Sequence, residues 1–165
     1  MKQYLIIIAI LLIEIGYAQN RNQKMTADKI TIQERVTQLF VATDQKNWEE
    51  LKIVFSDQVD LDYSSMSNQP PVIQTPSEII NQWSGVLPGF DYTHHQIGNF
   101  LVEIEGNEAN CFCYGTATHY LPNENGNVWT VVGSYNFKLK KEKQHWVITA
   151  MRFNFKYQSG NTELV

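Results

Sequence analysis

Cysteine is scarce in this chain: among 165 residues only Cys111 and Cys113 occur, so no disulfide framework can substitute for a hydrophobic core. Two residues apart on one strand, they would project from the same face with nearly parallel Cβ vectors, which suits a bridge poorly and predicts two buried free thiols. A zinc site completed by His119 fails on reach, because six strand residues from Cys113 span about 20 Å. Positive charge is also in deficit, with 13 Lys and Arg against 17 Asp and Glu, a net charge of -4 and a pI near 5.5. That balance argues against nucleic acid as a partner, since phosphate binding needs a basic face. Lys138, Lys140, Lys141 and Lys143 do cluster, but they flank an apparent hairpin turn and read as a solvated surface. Internal repeats are missing, and the length is that of one domain.

Long hydrophobic runs are confined to the N-terminus. Lys2 precedes an apolar run from Tyr4 to Ile13, and Gly16 and Ala18 supply the small residues of a signal peptidase site. The pattern predicts a signal peptide over residues 1–18, too short for a comfortable membrane span. Glu14 counts against an uncleaved anchor, and no cysteine follows the expected cut at Gln19, as a lipoprotein would require. The expectation is an exported protein, periplasmic or secreted, with no stable membrane insertion after cleavage. A polar leader over 19–30, a domain over 31–158 and a tail over 159–165 complete the division.

Within the domain, Thr31-Ile32-Gln33-Glu34 reads as a capping box, followed by Ile32, Val36, Leu39, Phe40 and Thr43 at helical spacing. Asp44 falls on the same stripe, one turn beyond Phe40. A carboxylate there is opposed by desolvation and by the helix dipole, so it either caps the helix in water or has a buried partner. Asn47-Trp48-Glu49-Glu50 and Thr75-Pro76-Ser77-Glu78 open two further helices, the second with Ile79, Ile80, Trp83, Val86 and Leu87 as its stripe. Between them, Val59 to Tyr63 alternates as a short strand, and Ser64 to Gln74, with Pro70-Pro71, reads as a loop of the kind that forms lids. Four strand-like runs follow, about His94–Glu105, Ala109–Leu121, Val128–Lys140 and His145–Tyr157, separated by turn signals. Three helices followed by a strongly bent antiparallel sheet describe one α+β domain.

Strand parity then asks which polar residues share a face. A two-residue turn at Asn125-Gly126 would place His119 opposite Val132, Ala117 opposite Ser134 and Gly115 opposite Asn136, so that His119, Ser134 and Asn136 face one way. Of His94 and His95 only one can face inward. A two-residue turn at Gly106-Asn107 would put His95 on the side away from His119, whereas an odd loop or a bulge would put both on one side. Parity leaves this open.

The runs Asp44-Gln45-Lys46-Asn47-Trp48, Leu61-Asp62-Tyr63, His95-Gln96-Ile97-Gly98-Asn99, His119 and Ser134-Tyr135-Asn136, in this order and spacing, resemble the SnoaL-like branch of the nuclear transport factor 2-like superfamily, the branch that contains scytalone dehydratase. The resemblance covers about Ile32 to Tyr157. It implies a cone of three helices and a curved sheet around a deep pocket, with Asp44, Tyr63, His95, His119, Ser134 and Asn136 facing that pocket. It also implies acid-base catalysis with no metal or organic cofactor. The histidine matching His119, held by the carboxylate matching Asp44, would move protons next to a ketone, while tyrosines stabilise the enolate. Thr43 stands where the dehydratase has tyrosine, which leaves Tyr63 without its usual companion.

Imidazoles change charge near neutral pH and suit proton transfer, and apolar Val132, Met151, Phe153 and Phe155 would line the remaining wall. The reading is a dehydratase (lyase) or isomerase acting on a small hydrophobic hydroxy-ketone, open-chain or cyclic, with a non-catalytic binding module for an apolar molecule as the alternative and a dimeric scaffold as a third. Phe112, Tyr114, Trp129, Val131, Tyr135 and Phe137 form an apolar set on the sheet's other face, from which a homodimer through that face is expected.

Overall fold

The computed structural model describes residues 2–164, with side chains described for 16, 17 and 19–164. The expected signal peptide therefore lies almost wholly outside the described side chains. In chain order the elements are α1 (Lys2–Asp44), α2 (Trp48–Lys52), β1 (Phe55–Asp62), α3 (Ser64–Ser67), β2 (Val72–Gln74), α4 (Pro76–Val86), β3 (Tyr92–Glu105), β4 (Glu108–Tyr120), β5 (Val128–Glu142) and β6 (His145–Gly160), with short 3-10 turns at Leu87–Gly89 and Thr162–Leu164. The six strands form one sheet in the order β2-β1-β6-β5-β4-β3. All pairs are antiparallel except β1 with β6, which is parallel. Among the described residues no helix is long and apolar enough to cross a membrane.

The helix stripe reads as expected, with Ile32, Val36 and Leu39 fully buried and Phe40 and Thr43 nearly so. Its start does not. Thr31 lies inside α1, its hydroxyl donating to the Ala27 carbonyl four residues back at 3.0 Å, so it caps nothing. Asp28, assigned to the polar leader, accepts from Lys141 Nζ and from Trp146 Nε1 at 3.1 Å, fastening α1 to β5 and β6. The other two starts hold: Asn47 accepts from the Glu50 N–H, and Thr75 and Glu78 form a reciprocal capping box. The expected loop at Ser64–Gln74 is a helical turn, α3, and then an edge strand, β2, paired with β1. The tail is also placed, with the Asn161 N–H on the Val128 carbonyl at 2.8 Å and Leu164 against the core.

Two register features decide what faces inward. The first hairpin has the two-residue turn, Glu105 pairing with Glu108, but between Gly98 and Leu101 β3 carries an extra residue. Beyond this bulge His95 pairs with Ala117 and Thr93 with His119, so His95 joins the inner face of β4, where Cys111, Cys113, Gly115 and Ala117 lie buried, and His94 turns out to water. Asn99 holds the bulge in the left-handed region at φ 57°. In the second hairpin the connection is residues 121–127, closed by Leu121 N–H on the Asn127 carbonyl. His119 therefore faces Trp129, not Val132. The three-residue difference is odd, and it reverses every side chain of β5. Trp129, Val131, Tyr135 and Phe137 are buried in the core, while Val132, Ser134 and Asn136 alternate onto the sheet's other face, where Ser134 is covered and Asn136 is exposed. The apolar set expected on the outer face is thereby reduced to Phe112 and Tyr114.

Asn tolerates the left-handed conformation that a β-branched residue does not. Asn99→Val is expected to cost about 1–3 kcal/mol in urea denaturation, and Asn99→Gly to stay within roughly 0.5 kcal/mol of the parent.

Candidate active site

Asp44 is the last residue of α1, and its carboxylate is largely withdrawn from water, with 17% of the side chain exposed. It is met there by three donors from β3. The Thr93 hydroxyl donates at 2.9 Å, the His95 backbone N–H at 2.7 Å, and the His95 ring lies with Nδ1 2.7 Å from Oδ1. Burial opposes its ionisation, but the bonds from His95 and Thr93 prevail and hold the carboxyl below the usual range. An ionised Asp44 accepting from Nδ1–H fixes the tautomer and leaves Nε2 as the acceptor. Nε2 has no hydrogen-bond partner among the described residues, and the ring borders a cavity of about 300 Å³.

That cavity is bounded by Leu39, Phe40 and Thr43 of α1, by Tyr63 and Met66 around α3, by Gln82, Trp83, Val86 and Leu87 of α4 and its last turn, by Phe90, and by the sheet residues His95, Ala117, His119, Trp129, Val131, Tyr135 and Phe153. Phe40 stacks on His95 at 5.3 Å between ring centroids. His119 lies between Phe90 at 4.9 Å and Trp129 at 4.5 Å, and meets His95 edge-on at 6.1 Å. Its Nδ1 is buried without a partner among the described residues. Desolvation, then the nearby His95, push its pKa down to about 4, against smaller opposing effects of the Trp129 backbone and Asp44. At neutral pH His119 is thus an uncharged imidazole.

Of the residues expected at the site, Tyr63, His95, His119 and Phe153 border the cavity, and Asp44 stands behind His95. The carboxylate holds His95 and not His119, the histidine that the resemblance paired with it. Ser134, Asn136 and Val132 lie on the outer face because of the 121–127 connection; there Asn154 bonds Asn136 at 2.7 Å and Ser134 at 3.4 Å. Met151 faces inward but packs in the core without reaching the cavity, and Phe155 packs against the core near α3, where its N–H donates to the Ser65 hydroxyl. Sequence reasoning missed Thr93, although it sits two positions before His95 on the same face, and it missed Trp129 and Tyr135 through the reversed strand. Cys111 and Cys113 are free and buried, and burial pushes both thiols up to about 12. Among the described residues no group of three His, Cys, Asp or Glu could hold a metal ion.

The profile of the SnoaL-like domain matches residues 24–152. An uncharacterised protein of Mycobacterium tuberculosis is 31% identical over 84 residues, 50% of this chain and 54% of that one; the chain spans about half the length of the curated relatives it matches. Among solved structures, a Kribbella flavida protein superposes with a TM-score of 0.80 at 24% identity, covering 85% of this chain and 97% of that one. A scytalone dehydratase-like protein of Novosphingobium aromaticivorans gives 0.74 at 16% identity, covering 85% and 91%. A hexachlorocyclohexane dehydrochlorinase, LinA type 2, gives 0.73 at 13%, covering 86% and 93%.

The lowered pKa of His119 has a sign that can be checked. Between its ordinary value of 6.5 and about 4 the unfolded chain binds a proton that the folded protein refuses, so stability is full above pH 6.5 and falls on acidification through that window. Lowering the pH from 7.5 to 5 is expected to remove about 2 kcal/mol through this residue. His119→Gln should flatten that part of the pH dependence, as read from urea melts at the two pH values.

Proposed function

We propose, on the premise that the chain belongs to the SnoaL-like domain family, that it is a lyase or isomerase working by proton transfer without a cofactor, on a small, neutral, hydrophobic molecule. The observation that carries this is the Asp44–His95 pair, with Nδ1 engaged by the carboxylate at 2.7 Å and Nε2 unpartnered beside a largely carbon-lined cavity. Nε2 takes a proton from a carbon next to an electron-withdrawing group, and the C–H electron pair moves toward a C=C bond. In elimination the leaving group departs with its own bonding pair, and a departing hydroxide receives the proton from His95 to leave as water. In isomerisation the same proton returns to a different carbon. The neighbouring fold includes proteins named for loss of water and of hydrogen chloride, and both belong to this reaction class.

Neutral His119, sandwiched between aromatic rings, serves as a hydrogen-bonding group for the substrate and not as a second charged acid. The cavity lining contains no Lys or Arg, which favours an uncharged ligand over a carboxylate or phosphate. The same lining also fits the second reading, a binding module in which the imidazoles only anchor the ligand.

Turnover separates the two. With a panel of hydroxy-ketones, β-halo ketones and enones followed by ultraviolet absorbance, His95→Gln and Asp44→Asn are each expected to lower kcat roughly 10²- to 10⁴-fold with little change in ligand affinity. No turnover by the parent, with affinity lost in His95→Gln, would leave the binding module.

A further inference from the structure

Asp44 has two imidazoles within its influence and holds only one. His95 takes it by ring and backbone. His119 meets the His95 ring edge-on at 6.1 Å and feels the charge of the carboxylate, yet makes no bond to it among the described residues. An uncharged buried imidazole can still donate one N–H to an ionised carboxylate, so something in the structure directs Asp44 elsewhere.

The residue placed to do so is Thr93. It pairs with His119 across the β3–β4 ladder, and residues directly opposite each other stand about 4.5–5.5 Å apart at Cβ. Thr93 is 9% exposed, and its hydroxyl donates to Asp44 at 2.9 Å. The acceptor is Oδ1, the oxygen that also meets the His95 ring at 2.7 Å, while Oδ2 takes the His95 backbone N–H at 2.7 Å. A carboxylate oxygen offers two lone pairs, so Thr93 and His95 together fill Oδ1. With both oxygens engaged on β3, turning the carboxylate toward His119 on β4 would break a bond at each.

We propose that Thr93 is a positioning residue: its hydroxyl fixes the plane of the Asp44 carboxylate and commits it to His95, so that one imidazole becomes the base and the other stays a neutral neighbour. This rests on the Asp44–His95 dyad proposed above. Thr93 does not border the cavity, and it acts on a ligand only through Asp44 and His95. Its hydroxyl is separable from its bulk. Valine keeps the shape and loses the donor, whereas serine keeps the donor and loses the methyl group.

The test reads the imidazoles directly, by nitrogen-15 ring correlation spectra of the full chain at neutral pH, and needs no substrate. In the parent, His95 is expected as the Nδ1–H tautomer, with that proton exchanging slowly with water. Thr93→Val and Thr93→Ala are each expected to speed this exchange about tenfold, the effect of losing one hydrogen bond to a charged group, and to move the His119 ring resonances. Thr93→Ser should keep the parent pattern. For a panel compound that the parent turns over, Thr93→Val should lower kcat about tenfold with KM within about twofold, and Thr93→Ser should restore it. Parent-like exchange at His95 in both Thr93→Val and Thr93→Ala, or an equal effect of Thr93→Ser, would overturn the proposal and leave the dyad standing. A parent His95 in the Nε2–H tautomer would overturn the dyad and this proposal with it. If the spectra behave as expected while no compound is turned over, the positioning of Asp44 stands and the catalytic reading of His95 falls.

Discussion

The fold turns on placing a carboxylate where physical chemistry disfavours it. Asp44 sits at the carbonyl end of α1, where the helix dipole repels negative charge, and it is mostly out of water. Three donors offset this, two of them from His95 itself, its backbone N–H and its ring. β3 is one of the two edges of the sheet, so alternate N–H groups along it have no neighbouring strand to bond among the described residues, and the end of α1 takes one of them. Docking the helix against the edge and fixing the imidazole are therefore one event. Lys46 reinforces the junction by reaching the Phe90 carbonyl at 3.0 Å, next to the ring that packs on His119.

That geometry requires β3 to change phase along its length. Near the turn Val102 and Ile104 pack inward, and beyond the bulge Thr93 and His95 do. A regular strand could not present both sets to one interior, because alternate residues keep to one face. The extra residue at Asn99 resolves the conflict, and it sits next to the site it serves, as bulges commonly do.

The same point explains what the sequence revealed and what it concealed. Alternation shows a strand's period but not its phase relative to a neighbour, which depends on the number of residues in the connection. The helix stripes, two of the three helix starts (one as a full capping box at Thr75 and Glu78, one as an N-cap at Asn47) and the four long strands follow from local signals, and their positions were legible. The faces were not. For β3 the local signal was indecisive, and the resemblance rightly demanded an odd step in the first hairpin. For β5 the Asn125-Gly126 pair suggested a tight turn, but Gly126 closes a wider connection with its N–H on the Asn123 carbonyl, and that odd difference sent Ser134 and Asn136 outward and Tyr135 inward. Motif order along the chain is conveyed by similarity; side-chain direction depends on each loop and has to be counted.

With the faces settled, the two histidines differ by environment more than by position. His95 has a carboxylate behind it and the cavity in front. His119, nearly opposite, has aromatic faces on two sides and an unpartnered nitrogen. Asp44 does not border the cavity, so a ligand meets the site's negative charge only through the imidazole of His95. In a space walled largely by carbon, interactions with that ring are weakly screened. An apolar ligand gains from burial wherever it lies in such a cavity, and that gain is nearly indifferent to orientation. The few polar atoms at its margin are what select one pose, and in the proposed reaction that pose brings an acidic C–H to Nε2 of His95, the nitrogen that the Asp44 contact leaves unused.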